Sequence, residues 1–207
     1  MRRVKEIERR SSGKRKRKPV VYLICEGSET EIRYFKKFRS RDCNIDIIPI
    51  SSQYKSADKL VAKVKSTIGN NLYYPDDGDV VWCVFDRDDN TNVMLTKAKQ
   101  LASKENYKIA FSNPSFEIWY LFHFTKQTVP IENAEAVIKQ LKKTGRLESY
   151  EKNKDVYEQL KPFQNLAIER ANKRIVNLNN ENIEILSRES NPSTTVAELV
   201  EFLLSKQ

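Results

Sequence analysis

The sequence predicts an α/β protein: a mostly parallel sheet flanked by helices, with a helical extension towards its C-terminal end. Three observations carry this reading. Val20 to Cys25 and Val80 to Phe85 are continuously apolar without alternation, as expected of strands covered on both faces in a parallel sheet. Helical periodicities fill the intervals between these runs and two weaker strand signals, so strand and helix alternate up to about Ser112. Beyond Asn113 strand signals stop and helical ones recur.

In order, Pro19 opens the first strand, and Ile32, Phe35 and Phe38 then follow at helical spacing. A weaker strand lies at Ile45 to Ile50, and Leu60, Val61, Val64 and Ile68 mark the next helix. After the strand Val80 to Phe85 comes a helix carrying Met94, Ala98 and Leu101, then a weaker strand at Tyr107 to Phe111. The remaining helices carry Ile118 to Phe122; Val137, Ile138 and Leu141, ending near Gly145; Ile168, Ala171 and Ile175; and Val196, Leu199, Val200, Leu203 and Leu204. This divides the chain into an N-terminal arm over 1–18, an α/β core over 19–125 and a helical extension over 126–207 packed on the core. Asn113-Pro114-Ser115 recurs as Asn191-Pro192-Ser193, each ahead of a helix, where Pro near the start and Ser as cap are ordinary devices.

A chain of 207 residues with 39% hydrophobic content suits one domain or one domain with a small appendage. No apolar run reaches the roughly 18 residues of a membrane span, and the basic N-terminus lacks the apolar stretch of a secretory signal; the expected location is the cytosol. The net charge of +9 is concentrated in Arg2 to Lys18, which hold ten basic residues and two acidic ones. Such an arm meets phosphate backbones or acidic surfaces, or serves as a solubilising leader. Its densest stretch, Arg15, Lys16, Arg17 and Lys18, supplies the candidate nucleic-acid contacts. Cys25, Cys43 and Cys83 are odd in number and form no C-x-x-C pair, so they read as buried free thiols. The single histidine, His123, excludes a histidine metal cluster; in its aromatic helix it reads as a core or interface residue, with a catalytic acid as the alternative. Any catalysis must therefore rest mainly on carboxylates.

Those carboxylates fall at strand ends. The first strand runs into Glu26-Gly27-Ser28-Glu29-Thr30-Glu31, and the second into Asp86-Arg87-Asp88-Asp89-Asn90. In an open parallel sheet the crevice at the carboxyl ends of the strands is where ligands bind. In extended backbone the side chains of Asp86 and Asp88 leave on one side, a pair of hard oxygen ligands suited to Mg²⁺ or Mn²⁺. Glu26, from the neighbouring strand, completes the site or acts as general acid or base, while Arg87 points to the opposite side. Structural roles compete with each assignment: Asp88-Asp89-Asn90 fits a turn or a helix cap, Ser28-x-x-Glu31 fits a capping box, and Glu117 favours the positive end of a helix that Ser115 would cap.

Taken in series, these pieces resemble a known family. A strand ending in Glu26-Gly27, followed after two α/β units by a strand ending in Asp86-x-Asp88, resembles the Toprim fold of topoisomerases, primases and certain nucleases. The fuller series resembles the RloB family: Glu26-Gly27-x-x-Thr30-Glu31, Phe85-Asp86-Arg87-Asp88, Ser112-Asn113-Pro114-Ser115-Phe116-Glu117-Ile118-Trp119, His123-Phe124 and Asn191-Pro192-Ser193-Thr194-Thr195-Val196. That resemblance implies a Toprim-like sheet and a Mg²⁺- or Mn²⁺-dependent nuclease of bacterial anti-phage defence. It places metal on Glu26, Asp86 and Asp88, with Glu31 and Glu117 as further candidates. It also implies nucleic acid, DNA or RNA, as substrate and an ABC/AAA-type ATPase as partner, leaves a homodimer open, and gives the membrane no part. The competing reading is a Toprim-like module that binds nucleic acid or docks on an ATPase without cutting.

The arm generates its own prediction: ten basic residues outside any apolar periodicity should contribute affinity by counterion release and little specificity. Removing it should flatten the salt dependence of nucleic-acid binding, measured as the slope of log K against log salt; an unchanged slope would contradict the assignment.

Overall fold

The computed structural model of the protein describes residues 17–40, 43–69 and 72–207. Five strands, β1 (Val20–Cys25), β2 (Asp46–Ser51), β3 (Val80–Asp86), β4 (Lys108–Asn113) and β5 (Ser193–Thr194), form one sheet in the order β2-β1-β3-β4-β5. The first four are mutually parallel, and β5 runs antiparallel to β4. The α/β class and the mostly parallel sheet read from the sequence are therefore those of the folded chain.

The unbroken apolar runs become intelligible from the layers. On one face Val21, Leu23, Cys25, Trp82, Val84 and Ala110 join the larger core, under α1 (Thr30–Lys36), α5 (Glu117–Phe124), α6 (Ala134–Leu141), α8 (Gln164–Asn180) and α9 (Val196–Leu204). On the other Val20, Tyr22, Ile24, Val81, Cys83, Phe85 and Phe111 pack against α2 (Ala57–Ala62), α3 (Val64–Ile68) and α4 (Asn92–Lys104). With both faces covered, β1 is buried at every position, which is why alternation is missing. Val196, Ala197, Leu199, Val200 and Leu203 of α9 are all buried, so the C-terminal stripe is part of the folded unit.

Three features depart from the sequence reading. The helix expected to carry Leu60 to Ile68 is two, broken at Lys63 and closed by Gly69, whose φ of 105° suits glycine. A short helix, α7 (Tyr157–Leu160), lies where no periodicity of useful length exists. Most important, strands do not stop at Asn113: β5 returns to the sheet 80 residues later, pairing Ser112 with Thr194 and Asn113 with Ser193. The two Asn-Pro-Ser triplets are thus neighbours, both with cis Asn-Pro bonds. The buried Asn113 amide donates to the Ser187 carbonyl (3.0 Å) and the Ser190 hydroxyl (3.2 Å), while Asn191 exchanges two hydrogen bonds with the Ile131 backbone.

The three cysteines are buried and free. His123 is buried in the core; its Nδ1 lies 2.9 Å from the Trp119 carbonyl, its ring meets Trp119 edge-on, and burial lowers its pKa to about 4. Among the described residues no helix is long and apolar enough to cross a membrane. Of the expected nucleic-acid contacts, Arg15 and Lys16 lie outside the described residues. Arg17 and Lys18 are held against the body: Arg17 makes a forked pair with Asp79 (2.8 Å for both bonds) beneath the Tyr74 ring, and Lys18 Nζ donates to the Cys43 carbonyl (2.7 Å).

Asp79 also accepts from the backbone amides of Val20 (2.8 Å) and Tyr74 (2.9 Å), so one buried carboxylate fixes the entry to β1. Burial pushes its pKa up, but these hydrogen bonds and the Arg17 charge outweigh burial and hold it below the usual carboxylate range. Asp79→Ala should cost about 3 kcal/mol in denaturant unfolding at neutral pH, because it strands buried donors. A depressed carboxyl stabilises above its unfolded pKa and loses that contribution as pH falls through the folded one. The deficit should therefore be full at pH 7 and shrink below about pH 4; a deficit independent of pH would contradict this account.

Candidate functional site

β1 and β3 are neighbours although the chain visits β2 between them, so strand order reverses there, and the crevice outside the carboxyl ends of such a pair is the preferred ligand position in an open parallel sheet. Glu26 follows β1 directly and Asp86 closes β3. The ladder continues through them: the Glu26 amide donates to the Val84 carbonyl (2.9 Å), and the Asp86 amide donates to Glu26 Oε2 (3.2 Å). A cavity of about 420 Å³ opens at this point, lined by the carboxyl-bearing side chains of Glu26, Glu29, Glu31, Asp86, Asp88 and Glu117 together with Lys55 and Lys152. All five acids expected from the sequence thus line one space.

The local structure decides between the competing roles of each. Asp88 does not cap α4: Thr91 does, accepting the Met94 amide at 3.3 Å. Nor is Asp88 in extended backbone. β3 ends at Asp86, a turn follows with the Asn90 amide on the Arg87 carbonyl (2.7 Å), and Asp88 has φ of 25°, so the turn and not strand alternation brings it to the cavity. Buried Asn90 locks that turn, donating to the Asp86 carbonyl (2.9 Å) and accepting from the Ala57 amide (2.8 Å). Glu31 is the second residue of α1, whose start shows no side-chain cap, so the capping-box reading of Ser28 and Glu31 is not realised. Its carboxylate folds back over Gly27, where an added Cβ would lie 2.1 Å from Oε2. Glu117 begins α5 and is 3% exposed; Ser115 donates to its Oε2 (2.8 Å) instead of capping the helix, and Tyr150 donates to its Oε1 (3.2 Å).

The surrounding cations are mostly occupied. Lys55 Nζ donates to the Glu26 carbonyl (2.7 Å), and Arg188 reaches the carbonyls of Asp88 (3.4 Å) and Asn90 (3.0 Å). Arg87 turns away as expected, donating to Asn113 Oδ1 (3.4 Å) and the Glu132 carbonyl (3.3 Å). Burial consequently dominates the electrostatics. It raises Asp86 well above the usual carboxylate range, reinforced by Glu31, Glu117 and Glu26. Burial and the Glu117 charge raise Glu31, with the amides of Glu31 and Gly27 opposing. Burial pushes Glu26 up to about 7 against the Asp86 amide, with Asp88 and Glu31 adding to the rise.

These residues suit a hard divalent cation in chemistry: every candidate ligand is a carboxylate oxygen, and among the described residues the buried Asp86 Oδ1 has no hydrogen-bond partner. They do not yet suit it in spacing. Among the described residues no three His, Cys, Asp or Glu side chains are gathered into one ligand set, so sharing an ion requires side-chain rotation. Sequence reasoning missed Lys152, which lines the cavity from the far half of the chain, Tyr150, which holds Glu117 from the same segment, and Asn90 as the lock of the turn. An asparagine directly after the Asp-rich turn is a signal for the last; no local pattern marks the other two.

A mixed, mostly parallel sheet flanked by helices, with its strand order reversing beside a crevice of carboxylates, defines an open α/β protein with a switch-point site. Within it, the chain belongs to the RloB-like protein family, whose model matches residues 21–203. Membership of this Toprim-associated family is consistent with a nucleic-acid-related role. Comparison with curated proteins and with solved structures gave no match.

A raised carboxyl binds its proton more tightly in the folded chain than in the unfolded one, so stability falls as pH climbs from the ordinary Glu value to about 7. Glu26→Gln should therefore raise stability by about 2 kcal/mol at pH 8 in the presence of a chelator, with the gain vanishing near pH 4. Paired denaturant titrations at the two pH values check this, and a loss of stability at pH 8 would contradict it.

Proposed function

We propose that the protein is a divalent-metal-dependent nuclease that hydrolyses phosphodiesters in DNA or RNA. The observation that carries the reading is the gathering of Glu26, Glu31, Asp86, Asp88 and Glu117 around one cavity at the strand-order reversal, with a buried Asp86 oxygen that has no hydrogen-bond partner among the described residues. Repulsion and desolvation make this a costly arrangement for the apo chain, and a cation relieves both costs at once. Glu26, Asp86 and Asp88 would hold Mg²⁺ or Mn²⁺, with Glu31 and Glu117 completing the shell. When bound, the ion supplies Lewis acidity towards a phosphoryl oxygen and an acidified water. Glu26, with its pKa near neutrality, is suited to accept and return a proton at its carboxyl oxygen. Ser115 and Tyr150 orient Glu117, and Asn90 holds the turn that presents Asp88. The buried His123 takes no part. Action in anti-phage defence, an ATPase of the ABC/AAA type as partner, the arm over 1–18 as a nucleic-acid tether, the division of the body at 125 and a cytosolic site of action belong to the same proposal and rest on the sequence and the family.

A second reading, a module that binds nucleic acid or docks on the ATPase without cutting, draws on one specific observation: the carboxylates as they stand are spread over the cavity wall and do not form a ligand set among the described residues. Cleavage of tRNA, single-stranded DNA and plasmid with Mg²⁺ or Mn²⁺ separates the two. Asp86→Asn should lower cleavage by at least about 100-fold and leave the melting temperature unchanged or higher, and Mn²⁺ should stabilise the wild type more than the variant. Retained cleavage by Asp86→Asn would overturn the nuclease reading, and Mn²⁺ stabilisation absent from the wild type would favour the module.

A further inference from the structure

The segment between α6 and α7 runs from the C-terminal half of the chain to the acidic cavity and is tied at three points, two at the cavity wall and a third, at Lys37 and Asp155, outside it. Tyr150, 1% exposed, donates its hydroxyl to Glu117 Oε1 (3.2 Å). Thr30, the first residue of α1, donates its hydroxyl to the Lys152 carbonyl (3.0 Å). Lys37 forms an ion pair with Asp155. These ties hold the backbone of Lys152 at the cavity rim while its side chain stays exposed.

The two cations lining the cavity are Lys55 and Lys152, and they differ in what they do. Lys55 is engaged by the Glu26 carbonyl, whereas Lys152 Nζ has no hydrogen-bond or ion-pair partner among the described residues and acts on Glu31 only through its charge at longer range. Arg87, inside the acidic turn, and Arg188, which reaches that turn from the far end of the chain, are turned to backbone carbonyls and Asn113. A phosphodiester entering a space walled by carboxylates needs positive charge beyond that of a bound ion. We propose that Lys152 is the cation that contacts the scissile phosphate, donating to a non-bridging oxygen, and that the strap from Tyr150 to Asp155 exists to place it there. The assignment rests on the nuclease reading and adds to it a substrate-contacting residue from outside the acidic motifs.

A purely neutralising lysine would act differently: its removal would alter Mn²⁺ affinity and leave nucleic-acid affinity alone. The full chain, Lys152→Ala, Lys152→Arg and Asp86→Asn should be compared with fluorescein-labelled DNA and RNA oligonucleotides in Mn²⁺, reading anisotropy, kcat/KM and Mn²⁺ binding without oligonucleotide. Lys152→Ala should weaken oligonucleotide affinity or kcat/KM by about 10- to 100-fold, the range for losing one charge-assisted hydrogen bond. Lys152→Arg should recover most of that loss, and neither variant should shift the melting temperature or weaken Mn²⁺ binding. Thr30→Val, which frees the strap at one tie, should give a smaller loss of the same kind. If Lys152→Ala binds and cleaves like the wild type while Asp86→Asn does not cleave, Lys152 is only a surface charge and the nuclease reading stands. If Lys152→Ala changes Mn²⁺ binding alone, the neutralising role replaces the proposed one. A wild type that neither binds nor cleaves any of the oligonucleotides overturns both.

Discussion

The carboxyl group of Asp86 is the point on which the rest of the site depends. It sits at the last position of a strand covered on both faces, so it leaves water with nothing but the Glu26 side, the start of α5 and the cavity around it. A carboxylate so placed is costly, and the neighbouring Glu31, Glu117 and Glu26 make it costlier. Everything close to it can be read as management of that cost. Glu26 accepts the Asp86 amide, Asn90 accepts and donates to hold the turn, and Ser115 and Tyr150 hold Glu117. One oxygen, Asp86 Oδ1, has no hydrogen-bond partner among the described residues. An incomplete buried network is destabilising in a structural role and useful where a ligand is to complete it.

Support for this arrangement comes from both halves of the chain. The edge strand β5 turns the last part of the molecule back onto β4 beside the two Asn-Pro-Ser triplets, whose asparagines bind the surrounding loops. α9 then lies on the larger core, where its apolar stripe is buried among residues of α5 and α8. The α6–α7 connection, from the same half, is joined to the cavity wall by the Tyr150–Glu117 and Thr30–Lys152 hydrogen bonds. The helical extension is therefore structural to the site and not an appendage beside it, and the acids of the N-terminal half acquire their burial from residues more than thirty positions away. The arm adds a different kind of contact: its last two residues are bound to the body through Asp79 and the Cys43 carbonyl, so its attachment point is rigid.

Much of the molecule is legible from composition and pattern alone. Unalternating runs at Val20 to Cys25 and Val80 to Phe85 announce strands buried on both sides because solvent never touches either face, and residues that follow such strands must lie at the carboxyl edge. Local rules therefore suffice to bring Glu26 and Asp86 to one crevice, to bury the thiols and to read His123 as a core residue. Local rules fail where a role depends on a partner distant in sequence. Extended geometry misplaces Asp88, because the ladder ends one residue too early and a left-handed turn takes over. A capping box predicts the wrong neighbour for Glu31, because its carboxylate folds over Gly27 and is held by the amides of Gly27 and of Glu31 itself. β5 is too short to give a periodic signal, and Tyr150 and Lys152 lie in a segment with none; only the folding of the chain's second half over the first puts Lys152 at the cavity and Tyr150 against Glu117. The sequence by itself determined which chemistry could be assembled, since oxygen ligands at strand ends follow from residue type and hydrophobic pattern. Tertiary structure alone decided how deeply those carboxylates are desolvated and which cation faces them, because burial and charge proximity are properties of packing between distant segments.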